Sequence, residues 1–376
     1  MFNKKQDKIG KAIKVVHLPT DLGMRAYSLS RAERELGLDS WMIVRTHDVH
    51  DSNSVKPLNS SNRILFGCVL LESFLTSLKA DVIMANMGSS LLDSRTLKLN
   101  LVDIPIYKIL NKRIIVTFQG CDIRLCEYCP VRASMPSYEK CANLMEGYSY
   151  SEYDKLKLKR YKKWSHYADF LLGITPDLCR LDGIKYTPHA KYIDLSYNEL
   201  IKKTFNSSKI RIAHMSRRYI NGKRKKGVEY LKGTPWIEER LESLCRNFPS
   251  KVEYVPISGF SWRDCLKVLS TCDILIDQVL IGWYGGIAVE SALLGILPIA
   301  YIDQKLLNFI PKDMRDNLPV LGLENKDDLI SVLETLIHDK DRIRYESVRC
   351  HDSALNFHEA KVVARQIIEN YYSKDN

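Results

Sequence analysis

The sequence predicts an α/β protein of two doubly wound domains facing a central cleft. Three observations predict it. Short apolar runs alternate with helical patterns through the first half, the rhythm breaks at a linker near 187–207, and it then restarts toward residue 301. Continuous apolar strands joined by helices imply parallel sheets covered on both faces. With 376 residues the chain is too long for one ordinary core and comfortable for two.

In the first half, IKVVHL (13–18) reads as a buried strand followed by a turn at 19–23. A helix over about 24–36 ends at Gly37, a C-terminal cap. Strand 40–45, a helix near 64–78, strands 81–85 and 113–118, a helix over about 151–167 and strand 169–174 follow. After the linker come strand 210–214, a basic loop, a helix from about 228, strand 252–256, helix 262–270, strand 273–276, helix 286–294 and strand 297–301. The domains are therefore expected at 1–190, with a cysteine-containing insertion at about 121–145, and at 191–355. A last amphipathic helix, 359–372 within a segment 356–376, is expected to cross back onto the first domain.

Composition excludes several classes. Hydrophobic residues make 45% and charged residues 27%, a globular balance. No apolar run approaches the ~20 residues that cross a bilayer. The lysine-rich start lacks the apolar stretch of a signal peptide, so a cytoplasmic location is expected. Six of the ten cysteines are scattered singly, as small buried hydrophobes would be, which suits a reducing compartment. The net charge of +11 calls for an anionic partner.

Ligands of open α/β sheets bind beyond the carboxyl ends of strands, which directs attention to the loops there. CDILIDQVLIGWYGGIAVESALLGILPIAYI (272–302) ends a strand near Asp277, then places Gly282, Gly285 and Gly286 in a loop opening a helix that carries Glu290. Glycines let backbone amides approach a phosphate, and a helix N-terminus adds partial positive charge. IRIAHMSRRYINGKRKKGVEY (210–230) delivers Arg217 and Arg218 after a strand, and Lys226 before a helix. Arginine offers a planar fork to phosphate oxygens and lysine a mobile point charge. Read alone, the first segment is also a tight strand-to-helix connection, and the second a solvated basic loop or nucleic-acid patch.

Together the two segments resemble the donor site of GT-B fold, family 4-type glycosyltransferases. That resemblance implies two Rossmann-like domains, a diphosphate held by Arg218 (or Arg217) and Lys226, and a ribose held by Glu290. The family's other glutamate, separated from this one by seven intervening residues, is replaced by Gly282. Backbone groups from Ile257 to Gly259 would grip the base, and Gly23 in the first strand-to-helix loop would approach the diphosphate. After strand 113–118, Gln119 stands where similar enzymes have a histidine, with Asp122 as an acceptor-side group; these two are the catalytic candidates. The implied activity is transfer of a hexosyl-type sugar from a nucleotide-diphosphate sugar to a glycan or lipid-linked acceptor, with retention. It requires no metal cofactor, since basic side chains and helix dipoles would stabilise the leaving diphosphate. A place in cell-envelope polysaccharide synthesis is expected, with no nucleic acid as partner.

Two further features invite a reading. Cys126 and Cys129, spaced as C-x2-C, with Cys141 beyond, are compatible with a structural zinc, with reduced free thiols or with a redox role. KLKLKRYKKW (155–164) concentrates cations, with Trp164 and Tyr167 as interfacial aromatics, so it reads either as a helix lying on the anionic inner face of the plasma membrane or as a solvated helix face. Two other functions stay open: a basic nucleic-acid-binding protein with a zinc element, and a sugar-nucleotide epimerase on the same scaffold.

Overall fold

A computed structural model describes residues 12–45, 55–58, 63–93, 99–126, 129, 149–193, 208–216, 219–220, 223–224 and 232–372. The described residues fall into two compact units. One comprises Met1–Ile123, Leu156–Tyr192 and Glu359–Asn376; the other comprises Arg124–Lys155 and Ile193–His358. Of the expected insertion, the described residues Arg124–Cys126 and Cys129 fall in the second of these ranges.

The first unit runs β1 (Lys14–Leu18), α1 (Arg25–Glu35), β2 (Asp39–Val44), β3 (Val55–Pro57), α2 (Arg63–Ser77), β4 (Val82–Asn86), α3 (Ile104–Ile109), β5 (Arg113–Phe118), α4 (Tyr150–Tyr167, in this unit from Leu156 on), β6 (Phe170–Gly173) and β7 (Ile184–Tyr186). The strands make one parallel sheet in the order β3-β2-β1-β4-β5-β6-β7. Alternate residues of β1 serve opposite faces: Val16 and Leu18 pack with Phe118 and Trp164, while Val15 packs with Leu29 of α1. Burial of both faces explains why these strands read as continuous apolar runs.

The second unit runs β8 (Ile210–Met215), β9 (Tyr219–Ile220), β10 (Lys223–Arg224), α5 (Thr234–Asn247), β11 (Val252–Ile257), α6 (Trp262–Leu269), β12 (Ile274–Ile276), α7 (Gly286–Leu293), β13 (Leu297–Tyr301), α8 (Lys312–Arg315), β14 (Leu321–Leu323), α9 (Leu329–His338) and α10 (Lys340–His358). Its parallel sheet has the order β11-β8-β12-β13-β14, and β9 and β10 form an antiparallel pair. The strand order turns at β8 and β12, a topological switch point where this class of sheet opens a crevice. The helix expected from about 228 begins, among the described residues, at Thr234.

The single last helix is two elements. Glu359 ends α10 and caps α11 (Ala360–Ile367), its carboxylate accepting from the amides of Lys361 at 2.9 Å and Val362 at 3.2 Å. Wider π-type turns continue over Ile368–Tyr372. Val363, Ala364 and Ile367 pack on the first unit's core beside Leu29 and Ala32 of α1. Beneath them lies a buried polar network. Glu33 meets His17 Nε2 at 2.8 Å and accepts from Ser40 at 2.6 Å and from the Tyr372 hydroxyl at 2.5 Å. Burial by itself would raise the Glu33 carboxyl, but the His17 ring and these hydrogen bonds outweigh it and hold the group below its ordinary value.

A depressed carboxyl stabilises the fold above its unfolded value and loses that contribution as pH falls through the folded one. The wild type should therefore lose more stability than Glu33→Gln as pH drops below the ordinary glutamate value of 4.5. Asp21, raised by burial, acts in the opposite direction in both proteins, so the reading is the difference between the two curves of melting temperature against pH. Parallel curves would remove Glu33 from the acid response.

The basic helix α4 differs from the membrane-facing expectation. Trp164 is fully buried in the first core, donating from Nε1 to the Gly88 carbonyl at 2.8 Å. Arg160 donates to the same carbonyl at 2.7 Å and pairs with Asp93, while Lys163 donates to the Asn100 carbonyl. Tyr167 packs against the same core. The aromatics and half of the cations point inward because a long amphipathic cation can lay its stem over the core and spend its head on loop carbonyls.

Candidate donor site

In the second unit the switch point gathers a buried polar cluster. Asp277, at the end of β12, is fully buried. One of its oxygens holds the Lys232 ammonium at 2.7 Å, and the other accepts from the Gly285 amide at 2.5 Å. Lys232 and Gly233 immediately precede α5, and the Lys232 carbonyl accepts from the Val279 amide at 3.1 Å. His214, at the end of β8, donates from Nδ1 to the Ile276 carbonyl at 2.8 Å, and its Nε2 meets the Thr234 hydroxyl at 2.9 Å. Two strand ends, the start of α5 and the start of α7 are thereby tied into one frame.

The glycines of this frame have separate duties. Gly285 is the N-cap of α7 and Gly286 its first residue; the helix has no side-chain cap and no acidic residue in its first turn. An uncapped helix start of this kind favours an anion. Gly282 lies outside that role. It sits at φ +75°, and a Cβ there would lie 2.9 Å from the Cβ of Asp303, whose amide donates to the Gly282 carbonyl. A larger residue would be strained twice over, which explains why no glutamate occupies that position.

Glu290 is 3% exposed, one turn into α7, and accepts from Trp262 Nε1 at 3.0 Å. Trp262 starts α6, whose N-cap Ser261 accepts from the Asp264 amide. Burial, and after it the charge of Glu290, raise the neighbouring Cys265 thiol, leaving it an inert protonated group. Ile257 ends β11 with its side chain buried, and its carbonyl accepts from the Ser216 amide at 3.0 Å. That carbonyl is spent within the ladder. Lys232 gives its charge largely to Asp277, and the expected diphosphate residues Arg217, Arg218 and Lys226 lie outside the described residues.

The first unit holds the other candidates. Asp122 folds back on its own loop, accepting from the amides of Gln119 at 3.0 Å and Gly120 at 2.8 Å. Such a short carboxylate caps a turn well. Gln119 Nε2 is buried with no hydrogen-bond partner among the described residues, as are Thr117 Oγ1 and Asn86 Oδ1. Asn86 and Thr117 are register partners on β4 and β5, so these polar atoms gather at the carboxyl ends of two adjacent strands. The Gly23 carbonyl accepts from Lys191 Nζ at 2.6 Å. The candidate cysteines belong to the second unit: Cys126 is buried and its amide donates to Asp154 at 2.8 Å, Cys129 is half-buried, and Cys141 lies outside the described residues. Among the described residues no group of three or more His, Cys, Asp or Glu is placed to hold a metal ion.

Sequence reasoning missed Lys232 and Asp277. Lys232-Gly233 is a second Lys-Gly pair only six residues after Lys226-Gly227, and an aspartate ending an apolar strand needs a buried partner. Those were the available signals.

No protein-family model and no curated protein matches this sequence. Solved structures do. The chain is similar to the sucrose-phosphate synthase of Thermosynechococcus elongatus, over 96% of its length and 98% of that chain, with a TM-score of 0.56 and 12% identity. It is similar to Anabaena HepE in complex with UDP and glucose, over 96% of its length and 100% of that chain, with a TM-score of 0.58 and 11% identity. An α-glucosyltransferase in complex with UDP and DNA matches over 96% and 99% of the two chains, with a TM-score of 0.55 and 9% identity. At such identities the likeness is one of fold, and the fold is GT-B, two Rossmann-like domains in one chain.

Proposed function

We propose that this protein is a glycosyltransferase that binds a nucleotide-diphosphate sugar in the second unit and passes its sugar to a glycan or lipid-linked acceptor. The observation that carries the reading is the frame around Asp277, which fixes the uncapped start of α7 and the buried Glu290 beyond one end of a switch-point sheet. A carboxylate held one turn inside such a helix suits ribose hydroxyls, while the helix start and the basic segment suit a diphosphate. Two of the neighbours described above were solved with UDP, which supports the same ligand class. Stabilising the departing diphosphate by amides and cations needs no divalent ion, and retention of configuration follows the family resemblance. A cytoplasmic role in cell-envelope polysaccharide synthesis accords with the basic charge and with the lack, among the described residues, of a helix able to cross a membrane.

Glu290→Gln should weaken binding of the nucleotide-diphosphate sugar by about tenfold, the loss of one charge-assisted hydrogen bond, with a smaller effect on melting temperature. Trp262→Phe removes one hydrogen-bond donor from Glu290 and should narrow the discrimination between ribo- and 2′-deoxyribonucleotides without abolishing diphosphate affinity. Calorimetric titration against UDP-, GDP-, ADP- and CMP-linked sugars measures the first effect, and the same titration with their 2′-deoxy counterparts measures the second. If Glu290→Gln binds as the wild type does while its melting temperature falls, the residue is structural. Conversion of the donor sugar in the absence of acceptor would instead identify an epimerase.

A further inference from the structure

The first sheet has a switch point of its own. Its strand order turns at β1 and β4, and sheets of this class open a crevice at the carboxyl ends of such strands. Val15 of β1, Met84 of β4 and Ile115 of β5 belong to one core face, together with Leu29 of α1. Side chains alternate between the faces of a strand, so His17, Asn86 and Thr117, each two residues further on, project to that same face. Arg25 lies one turn before Leu29, on the matching side of α1. Toward the strand ends the apolar layer is therefore followed by a polar one, in which His17, Arg25, Asn86 and Thr117 are all fully buried.

The fold answers few of these groups. Among the described residues, Arg25 Nε and Nη1, Gln119 Nε2, Asn86 Oδ1, Asp21 Oδ2, Thr117 Oγ1 and His17 Nδ1 are closed off from solvent with no hydrogen-bond partner. The Arg25 guanidinium has one long contact, 3.5 Å from Nη2 to Thr187 Oγ1, and Asn86 Nδ2 donates to the Met84 carbonyl at 3.3 Å. Protein cores leave few such atoms, because each forfeits a hydrogen bond, and a cluster of them asks for an explanation. Thr20, Asp21 and Gln119 are half-buried and Leu22 and Gly23 exposed, so the polar layer lies directly beneath the surface.

We propose that this polar layer binds an uncharged sugar residue, which on the glycosyltransferase reading above is part of the acceptor. The unmet atoms are donors on Arg25 and Gln119 and acceptors on Asp21 and Asn86, with the Thr117 hydroxyl able to serve either way. Sugar hydroxyls give and take hydrogen bonds alike, and so suit a mixture of both signs. Charge argues against a phosphate or carboxylate. The carboxylates of Asp21, Glu33 and Asp122 offset the cations of Arg25 and Lys191, and Lys191 already donates to the Gly23 carbonyl at 2.6 Å. An added charge buried in so balanced a site would be costly. The residues concerned lie wholly in the first unit, apart from the donor site of the second.

NMR titration of the full chain with methyl glucoside, methyl galactoside, methyl mannoside and maltose, and with glucuronate for comparison, tests it. At least one of the uncharged sugars should bind, and glucuronate should bind about tenfold more weakly or not at all. Thr117→Val keeps the shape and removes a hydroxyl that has no partner. Its melting temperature should hold or rise, while its affinity for the sugar falls by about tenfold. Thr117→Ser keeps the hydroxyl and loses a buried methyl, so it should do the reverse, binding as the wild type does and melting lower. Gln119→Met should follow Thr117→Val. A hydroxyl that only supported the fold would not separate binding from stability in this way. The proposal is overturned if the wild type binds none of these sugars, or if Thr117→Val binds them as the wild type does. It is equally overturned if Thr117→Val melts below Thr117→Ser, the mark of a hydroxyl satisfied by structural water. Titration of the same preparations with UDP-glucose reports on the donor site. Its failure beside an intact sugar site would remove the acceptor role and leave the sugar site standing.

Discussion

Asp277→Asn is expected to lower the melting temperature by about 10 °C, because removing one partner of a buried ion pair costs roughly 3–5 kcal/mol and a domain of this size moves a few degrees per kcal/mol. The cost arises from what stays behind. Lys232 keeps its charge in a site where its side chain is only 10% exposed, and the Gly285 amide faces an amide in place of a carboxylate. The second expected result separates frame from ligand site. Adding Lys232→Met to Asp277→Asn removes the stranded cation and should recover much of the stability. Nucleotide-sugar affinity should stay low, because Gly285 and the start of α7 are no longer held. Thermal melts and titrations of the wild type, single and double variants make the comparison. Recovery of both properties together would mean that the pair supports the fold and has no part in binding.

Trp164→Ala should be nearly as damaging, at roughly 3–5 kcal/mol for a large aromatic removed from a closed core. Trp164 is fully buried among Val16, Leu18 and Phe118, and its ring N–H satisfies the Gly88 carbonyl together with Arg160. Trp164→Phe should cost less, chiefly the lost hydrogen bond of about 1 kcal/mol. Lys155→Ser and Lys159→Ser, on the exposed side of the same helix, should stay within about 0.5 kcal/mol of the wild type. Urea titrations rank the four. A silent Trp164→Ala would return this tryptophan to the surface, where the cationic pattern of the sequence had placed it.

The strands were legible in the sequence and the polar frame was not. Val82–Asn86, Arg113–Phe118, Ile210–Met215 and Leu297–Tyr301 are apolar because both faces of their sheets are covered, and such runs announce themselves. The helix carrying Glu290 was legible within a residue for the same reason. The helix Lys340–His358 was not. Ser347, Cys350, Ser353, Ala354 and His358 are among its buried residues, so its packing stripe is small and polar and no hydrophobic period stands out. The edge strands Val55–Pro57 and Ile184–Tyr186 are too short to show a pattern at all. Side-chain pairing across long separations was the harder part. Lys232 and Asp277 are 45 positions apart, and the inward turn of Trp164 depends on a carbonyl 76 positions away. Local spacing carries no trace of such partners.

The hydrogen bond from Tyr372 to Glu33 spans 339 positions and has a consequence during synthesis. The first unit is sewn from three stretches of chain, with most of the second unit made between the last two. At ribosomal speeds the interval between emergence of α1 and arrival of Tyr372 is on the order of tens of seconds. Throughout it, Leu29, Ala32 and Met84 lack the cover of Val363 and Ile367. The nascent chain must carry a complete sheet with part of one face uncovered while its other half folds.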